Sequence, residues 1–173
     1  MRVIEALGAL VMLLLLVRAA SPDPKATAAA FPERCTKLEG CGRVAERHPH
    51  RAGPEVPLKL RTTLEGARGA AAAWVRALPR AEVLYDAADG GADGGGRALL
   101  VHARVLTFFW GFADDFWVRL SCAGDGAALV EAQGQLRLGV GDLGVNPARN
   151  QALLGALRAE ARVGALPPGE CKG

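Results

Sequence analysis

The stretch GFADDFWVRL, residues 111–120, sets two acidic residues at the start of an alternating apolar segment. Residues 115–122 are predicted to form a β-strand with Phe116, Val118 and Leu120 facing the core. Successive strand residues point to opposite faces, so Asp114 and Asp115 cannot reach one substrate together if both are extended. We therefore expect at most one of them to serve a site, which argues against a paired-carboxylate acid/base centre.

Three further segments predict strands on either side of this one. Residues 81–86 and 127–138 have strand character, and residues 97–107 alternate so that Val101 and Val105 share the core face. His102 falls on the other face, where we expect an exposed or half-buried side chain rather than a general base. Three hairpin connections between the four segments, the first of them a glycine-dense loop at residues 87–96, predict an antiparallel meander.

Two helices bracket the strands. Thr62 and Glu65 have capping-box spacing, and apolar residues then recur at helical intervals until Pro79. Asn146 is predicted to cap the last helix and Pro147 to open it. The apolar stripe of that helix comprises Leu153, Leu154, Leu157 and Ala161. The fold class predicted is α+β, in which a four-stranded antiparallel meander is packed on one face by an N-terminal and a C-terminal helix, within one domain spanning residues 58–173.

The N-terminus has the pattern of a secretory signal peptide. Arg2 precedes an apolar run from Ala6 to Val17, and Val17 and Ala19 occupy the −3 and −1 positions of a cleavage site after Ala19. The alternative of a membrane anchor is disfavoured because the run is shorter than the roughly 20 residues needed to cross a bilayer. We therefore expect residues 1–19 to be a signal peptide, and residues 20–57 to be a linker and an irregular, cysteine-containing lead-in.

An exported chain with four cysteines predicts disulfides. Three pairings are formally possible, and the short spacing favours Cys35–Cys41, which leaves Cys122–Cys171. A zinc site with His48 and His50 is the alternative, but the spacing is not that of a usual finger. No metal and no cofactor is predicted.

Charge and glycine patterns exclude two further classes of function. Cleavage would remove Arg2, Arg18 and Glu5 and leave 19 basic and 17 acidic residues, a net charge of +2 without a basic run, so no nucleic-acid partner is expected. Gly139, Gly141 and Gly144 have the spacing of a dinucleotide-binding motif. However, no strand or suitably spaced acidic residue follows, so we interpret them as glycines required by tight backbone conformations.

Three elements together resemble the uncharacterised family catalogued as domain of unknown function 1499. They are the Cys-x5-Cys lead-in, GFADDF, and GDLGVNPAR at residues 141–149, and the resemblance extends from about Cys35 to the last helix. Where the family has Arg-Ser-x-Ser, this chain has Gln133-Gly134-Gln135-Leu136, so a function that depends on those groups would be altered or lost. The matched positions are Cys35, Cys41, Phe112, Asp114, Asp115, Arg137, Gly139, Asp142, Leu143, Gly144, Asn146 and Arg149.

Two sets of residues are candidates for binding. The polar set is favoured to be a structural set of caps and an ion pair, and the alternative is a pocket for a small anion at a helix N-terminus. The aromatic set could pack in the core or form an exposed contact for a lipid, a membrane surface or a protein. The polar candidates are Asp114, Asp115, Arg137, Asp142, Asn146 and Arg149, and the aromatic candidates are Phe108, Phe109, Trp110 and Phe112.

Catalytic side chains are scarce in this sequence. The chain has no Gly-x-Ser-x-Gly elbow, and its cysteines are expected to be oxidised. We therefore predict an exported, non-enzymatic binding or accessory protein of a lumen, an envelope or the extracellular space. Its partner would be an unknown small ligand, lipid or protein, with a membrane contact only if the N-terminal segment stays uncleaved. The alternative is a hydrolase or transferase that uses one Asp with Arg137, Asp142 and Arg149 on a small anionic substrate.

Overall fold

Antiparallel strands form the centre of the protein, as a computed structural model shows, and the structure describes residues 2–20, 29–90, 97–107 and 111–172. The sheet has the order β1-β6-β5-β4-β3, and β2 also pairs with β6. The strands are β1 Cys41–Val44, β2 Leu58–Leu60, β3 Ala81–Ala88, β4 Ala98–Leu106, β5 Ala113–Cys122 and β6 Ala128–Leu136. The helices are α1 Arg2–Ala20, α2 Leu64–Ala77 and α3 Val145–Arg162.

The predicted α+β class is confirmed, but the sheet has six strands rather than four. The two additional strands are β1 and β2, and they lie end to end along the outer edge of β6, where β1 pairs with residues 132–135 and β2 with residues 128–130. β1 falls within the lead-in that the sequence predicted to be irregular. All four residues of β1 are buried, so polar and apolar residues do not alternate along this strand. The strand therefore depends on its pairing with β6 rather than on a local sequence pattern.

Helices α2 and α3 cover one face of the sheet. The core between them contains Val101, Phe116 and Val118 from the strands and Leu153 and Leu157 from α3. Burial of these side chains supplies the main stabilisation of this layer, at about 1.5–3 kcal/mol for each large apolar side chain. The predicted apolar stripe of α3 is correct except for Ala161, which is exposed.

The helix caps differ from the predicted ones. Thr63, not Thr62, caps α2 by accepting a hydrogen bond from the backbone N–H of Gly66 at 3.0 Å. Thr62 instead donates its hydroxyl to the carbonyl oxygen of Pro167 at 2.6 Å. The predicted cap of α3 is also wrong, because the helix begins at Val145 and Asn146 lies inside its first turn.

The second face of the sheet is covered by part of the lead-in. Phe31 and Ala45 pack there on Leu100 and Trp117 in a small separate apolar cluster. The backbone N–H of Phe31 donates to Asp89 at 3.0 Å, which attaches the lead-in next to the end of β3. The lead-in therefore forms a partial third layer, opposite the helices.

Two disulfides stabilise this arrangement, and their pairing is the one that the sequence analysis favoured. Cys35–Cys41 staples the lead-in to β1, and Cys122–Cys171 ties the C-terminal tail to the end of β5. Two such bonds indicate an oxidising, extracytoplasmic compartment. Within the described ranges, no helix combines the length and the apolar character that crossing a bilayer would require.

Candidate functional site

Asp114 lies on the helix-covered face of β5, where it is buried. Its Oδ2 atom accepts from both terminal nitrogens of Arg149, each at 3.3 Å. Burial raises the pKa of Asp114 above its ordinary value, and the Arg149 charge offsets this only in part. The side chain therefore belongs to an occluded ion pair between β5 and α3.

Asp115 lies on the opposite face, as the two-residue period of a strand predicts. Arg137 donates to both of its oxygens, from Nε at 2.9 Å and from Nη2 at 2.8 Å, across the pairing of β5 and β6. Nε2 of His102 lies 2.7 Å from Oδ1 of Asp115. Burial disfavours ionisation of Asp115, but the hydrogen bonds from His102 and Arg137 outweigh it and hold the pKa of Asp115 below its ordinary value.

His102 is fully buried, so the expectation of an exposed or half-buried side chain is wrong. Its ring stacks on Trp117 with 4.8 Å between centroids, beneath the apolar cluster that Phe31 completes. Because Asp115 is ionised, Nε2 of His102 is the donor in their hydrogen bond, and Nδ1 has no partner within the described residues. A ring held in this way orients Asp115 but does not reach solvent.

Asp142 caps the N-terminal end of α3. Its carboxylate accepts from the backbone N–H of Asn146 at 3.0 Å and of Gly144 at 3.1 Å. Arg51 adds an ion pair at 2.9 Å, and sequence reasoning missed this residue because it comes from the irregular lead-in. Burial opposes ionisation here too, but these donors hold the pKa of Asp142 below its ordinary value.

Asn146 and Arg149 complete the polar set on the helix side. The side-chain amide of Asn146 donates to the carbonyl oxygen of Gly40 at 3.2 Å, and its oxygen accepts from Arg149 at 2.5 Å. The structure thus brings together Asp114, Asp142, Asn146 and Arg149, while Asp115 and Arg137 lie on the other side of the sheet.

The space beside the helix-side group is small. Asp114, Asp142 and the half-buried Phe112 line a cavity of about 40 Å³. This is room for a buried water rather than for a substrate. The other aromatic candidates, Phe108, Phe109 and Trp110, lie outside the described residues.

A much larger cavity, of about 550 Å³, lies on the face opposite the helices. Phe31 and Arg43 from the lead-in form one wall, and Ser121, Leu129 and Glu131 from β5 and β6 lie opposite. The volume falls within the range of roughly 300–1,000 Å³ that small-molecule sites occupy. Sequence reasoning missed this cavity, because its walls are distant in the chain and carry no motif.

A chain of charged groups fixes the walls of this cavity. Arg119 lies 3.0 Å from Asp89 and 3.6 Å from Glu131. Glu131 also accepts a hydrogen bond from the backbone N–H of Glu46 at 2.8 Å. The lead-in is therefore bonded to both acidic residues that flank Arg119, through Glu46 to Glu131 and through Phe31 to Asp89. These contacts hold the cavity open as a preformed feature rather than a gap between loose segments.

Arg43 forms the most enclosed part of the cavity wall. It is 3% exposed, lies over the ring of Phe31 with 4.6 Å to the centroid, and donates to the carbonyl oxygen of Pro32 and to Oε1 of Gln133. Gln133 is the first residue of the stretch that departs from the family pattern. Gln133 therefore lies behind the cavity wall, in contact with the lead-in, whereas Gly134 lies against Asn146 on the helix-covered face.

No protein-family model, curated protein or solved structure matches this chain. The resemblance to domain of unknown function 1499 stays a prediction.

Proposed function

We propose that this protein is an exported, non-enzymatic binding domain that works in a lumen, an envelope or the extracellular space, and that it holds a small polar ligand in the 550 Å³ cavity. Residues 1–19 serve as its signal peptide in this proposal. Membership of the domain of unknown function 1499 family is part of the same proposal, and it rests on the residues quoted above.

The cavity is the observation that carries the proposal. Its walls combine apolar residues such as Phe31, Ala123 and Leu129 with charged ones, and its volume is that of a small-molecule site. Four basic and four acidic residues line it, so their formal charges balance and favour a ligand of low net charge with both donors and acceptors. The charged residues are Arg43, Arg47, Lys59, Arg119, Glu33, Glu46, Asp89 and Glu131.

The alternative, a hydrolase or transferase acting on a small anion, has weaker support. Its candidate groups are already paired with one another, as in Asp114–Arg149 and Asp115–Arg137. A substrate would have to displace these buried partners, and removing one member of a buried pair costs about 3–5 kcal/mol.

Native mass spectrometry of the protein recovered after export tests the proposal. We expect a retained small molecule on the wild type, and its loss from the variant Ser121→Trp, whose indole would fill the floor of the cavity. Ala161→Trp is the matched control, because Ala161 is exposed on α3 and lies away from the cavity. A wild type without added mass, or a Ser121→Trp variant that keeps it, would refute the assignment.

A further inference from the structure

The floor of the large cavity continues along the sheet beneath the lead-in. Arg119 and Glu131 lie opposite each other on β5 and β6 and form one row of that floor. Side chains two residues apart on a strand share a face, so the next row on this face is Trp117 beside Gln133. Both side chains are buried and neither lines the cavity, so the open space ends where this row begins.

The covered row carries polar groups that the fold leaves unused. Nε1 of Trp117, Nε2 of Gln133 and Nδ1 of His102 have no hydrogen-bond partner among the described residues, and His102 stacks on Trp117. Nδ1 of His102 is an acceptor, because Nε2 donates to Asp115, whereas the other two groups are donors. Unpaired buried polar groups cost stability, so three of them in adjacent side chains indicate a surface that a ligand completes.

One apolar side chain separates this row from the cavity. Phe31 packs on Leu100 and Trp117, and it also lines the cavity. Within residues 29–34 it is the only buried residue. The rest of this short segment is held by hydrogen bonds of its backbone to residues that follow β3 and to Arg43. Moving the Phe31 ring would therefore join the row to the cavity.

Arg43 has attachments that do not depend on Phe31. Its guanidinium lies over the Phe31 ring, but Nε also donates to the carbonyl oxygen of Arg47 and Nη1 to Gln133. These two contacts do not involve residues 29–34. A ring that replaced the side chain of Phe31 would lie under the same guanidinium, and a cation favours the face of an aromatic ring over an aliphatic one.

We propose that the Phe31 side chain is a displaceable plug, and that the ligand of the cavity carries a flat, uncharged aromatic ring with an amide group that takes its place. The amide oxygen accepts from Trp117 and Gln133, and the amide N–H donates to Nδ1 of His102. The remainder of the ligand lies in the open cavity. This inference rests on the proposed function and deepens it, since it names the chemistry of the ligand.

NMR titration of the exported, isotopically labelled wild type with benzamide tests the proposal. We expect the indole N–H of Trp117, the side-chain amide of Gln133 and the backbone N–H of Phe31 to shift together, the last because it leaves Asp89. Cyclohexanecarboxamide is the control probe, with the same amide on a puckered ring. It should bind roughly two- to fivefold more weakly, because it lacks the aromatic face that Arg43 covers.

Two variants separate the plug from the donors. Phe31→Ala should bind benzamide at least about tenfold more tightly, since the probe no longer displaces a buried phenyl ring. Trp117→Phe keeps an aromatic ring but removes a donor, and should weaken binding roughly two- to tenfold. Trp74→Phe is the matched control, because Trp74 packs on the helix side of the sheet and should leave binding unchanged.

Unchanged affinity in Trp117→Phe or in folded Phe31→Ala would overturn the proposal. So would a wild type in which benzamide shifts neither Trp117 nor Gln133, and that titration does not depend on whether Phe31→Ala folds. Either result, together with a retained molecule in native mass spectrometry, would leave the proposed function standing without this ligand chemistry. A wild type that retains no molecule would refute the proposed function, and this inference with it.

Discussion

Asp114 and Asp115 are neighbours in sequence, yet their carboxylates pair on opposite faces of the sheet. Asp114 meets Arg149 beneath α3, and Asp115 meets Arg137 beneath the lead-in. The first pair attaches α3 to β5, and the second links β5 to the residue that follows β6. The Asp-Asp element therefore has a structural use on each face, and the cavity that can hold a ligand lies elsewhere.

Replacing Asp115 should strongly destabilise the protein at neutral pH. Asp115→Asn leaves the guanidinium of Arg137 without its counter-charge while it is 5% exposed, and the loss of a buried partner costs about 3–5 kcal/mol. Because the folded pKa of Asp115 lies below its unfolded value, the stabilisation is complete above about pH 4 and is lost as the pH falls through the folded pKa. Urea unfolding of wild type and variant from neutral pH to below pH 4 should show the difference shrinking. The exposed Glu82→Gln variant is the control, and an unchanged difference throughout would contradict the assignment.

Asp114 should show the opposite pH dependence. Burial raises its folded pKa, so the wild type loses stability as the pH rises from about 4 through that folded pKa, whereas Asp114→Asn does not titrate. The free-energy difference between wild type and variant should therefore decrease with rising pH, and at neutral pH it should be smaller than that of Asp115→Asn. The same urea experiments measure it. A difference that grew with pH would show that the carboxylate is stabilised in its ionised form.

Introducing a serine at position 134, where the family that the sequence resembles has one, should destabilise this chain. A Cβ atom on Gly134 would lie 2.5 Å from Oδ1 and 3.0 Å from Cβ of Asn146, which is itself buried and bonded to Arg149 and Gly40. Overpacking of this kind typically costs about 1–3 kcal/mol. Thermal unfolding of Gly134→Ser should show the loss, and Gly155→Ser, at an uncrowded helical position, should show much less. Equal losses of stability in the two variants would mean that the side chain of Asn146 can move aside at little energetic cost.

The two disulfides should contribute unequally to stability. Cys122–Cys171 closes a sequence separation of 49 residues and Cys35–Cys41 one of 6. Loss of loop-closure entropy gives about 4 kcal/mol for the longer loop and about 2 kcal/mol for the shorter one. Urea unfolding of the paired serine variants should rank them in that order. The reverse order would mean that the Cys35–Cys41 disulfide stabilises the protein mainly through contacts in the folded state rather than through loop closure.

Local periodicity was enough to predict β3–β6 and the approximate positions of α2 and α3. It could not predict β1 or the burial of His102, because both depend on a lead-in with no period of its own, and it could not predict β2, because three residues are too few to show a period. Ion pairing within the polar set was among the expected possibilities, and the register of β5 and β6 brings Asp115 close to Arg137. Arg51 and the large cavity were missed because distant parts of the chain create them.

Locating the ligand on the protein tests the central claim most directly. The molecule released by denaturing the exported protein can be added back to isotopically labelled, ligand-free protein, and backbone amide shifts followed by NMR. The account predicts that the largest shifts fall at Ser121, Leu129 and Glu131 on the cavity face. Shifts concentrated instead at Asp114, Asp142 and Asn146 would contradict it and would place binding at the entrance to α3.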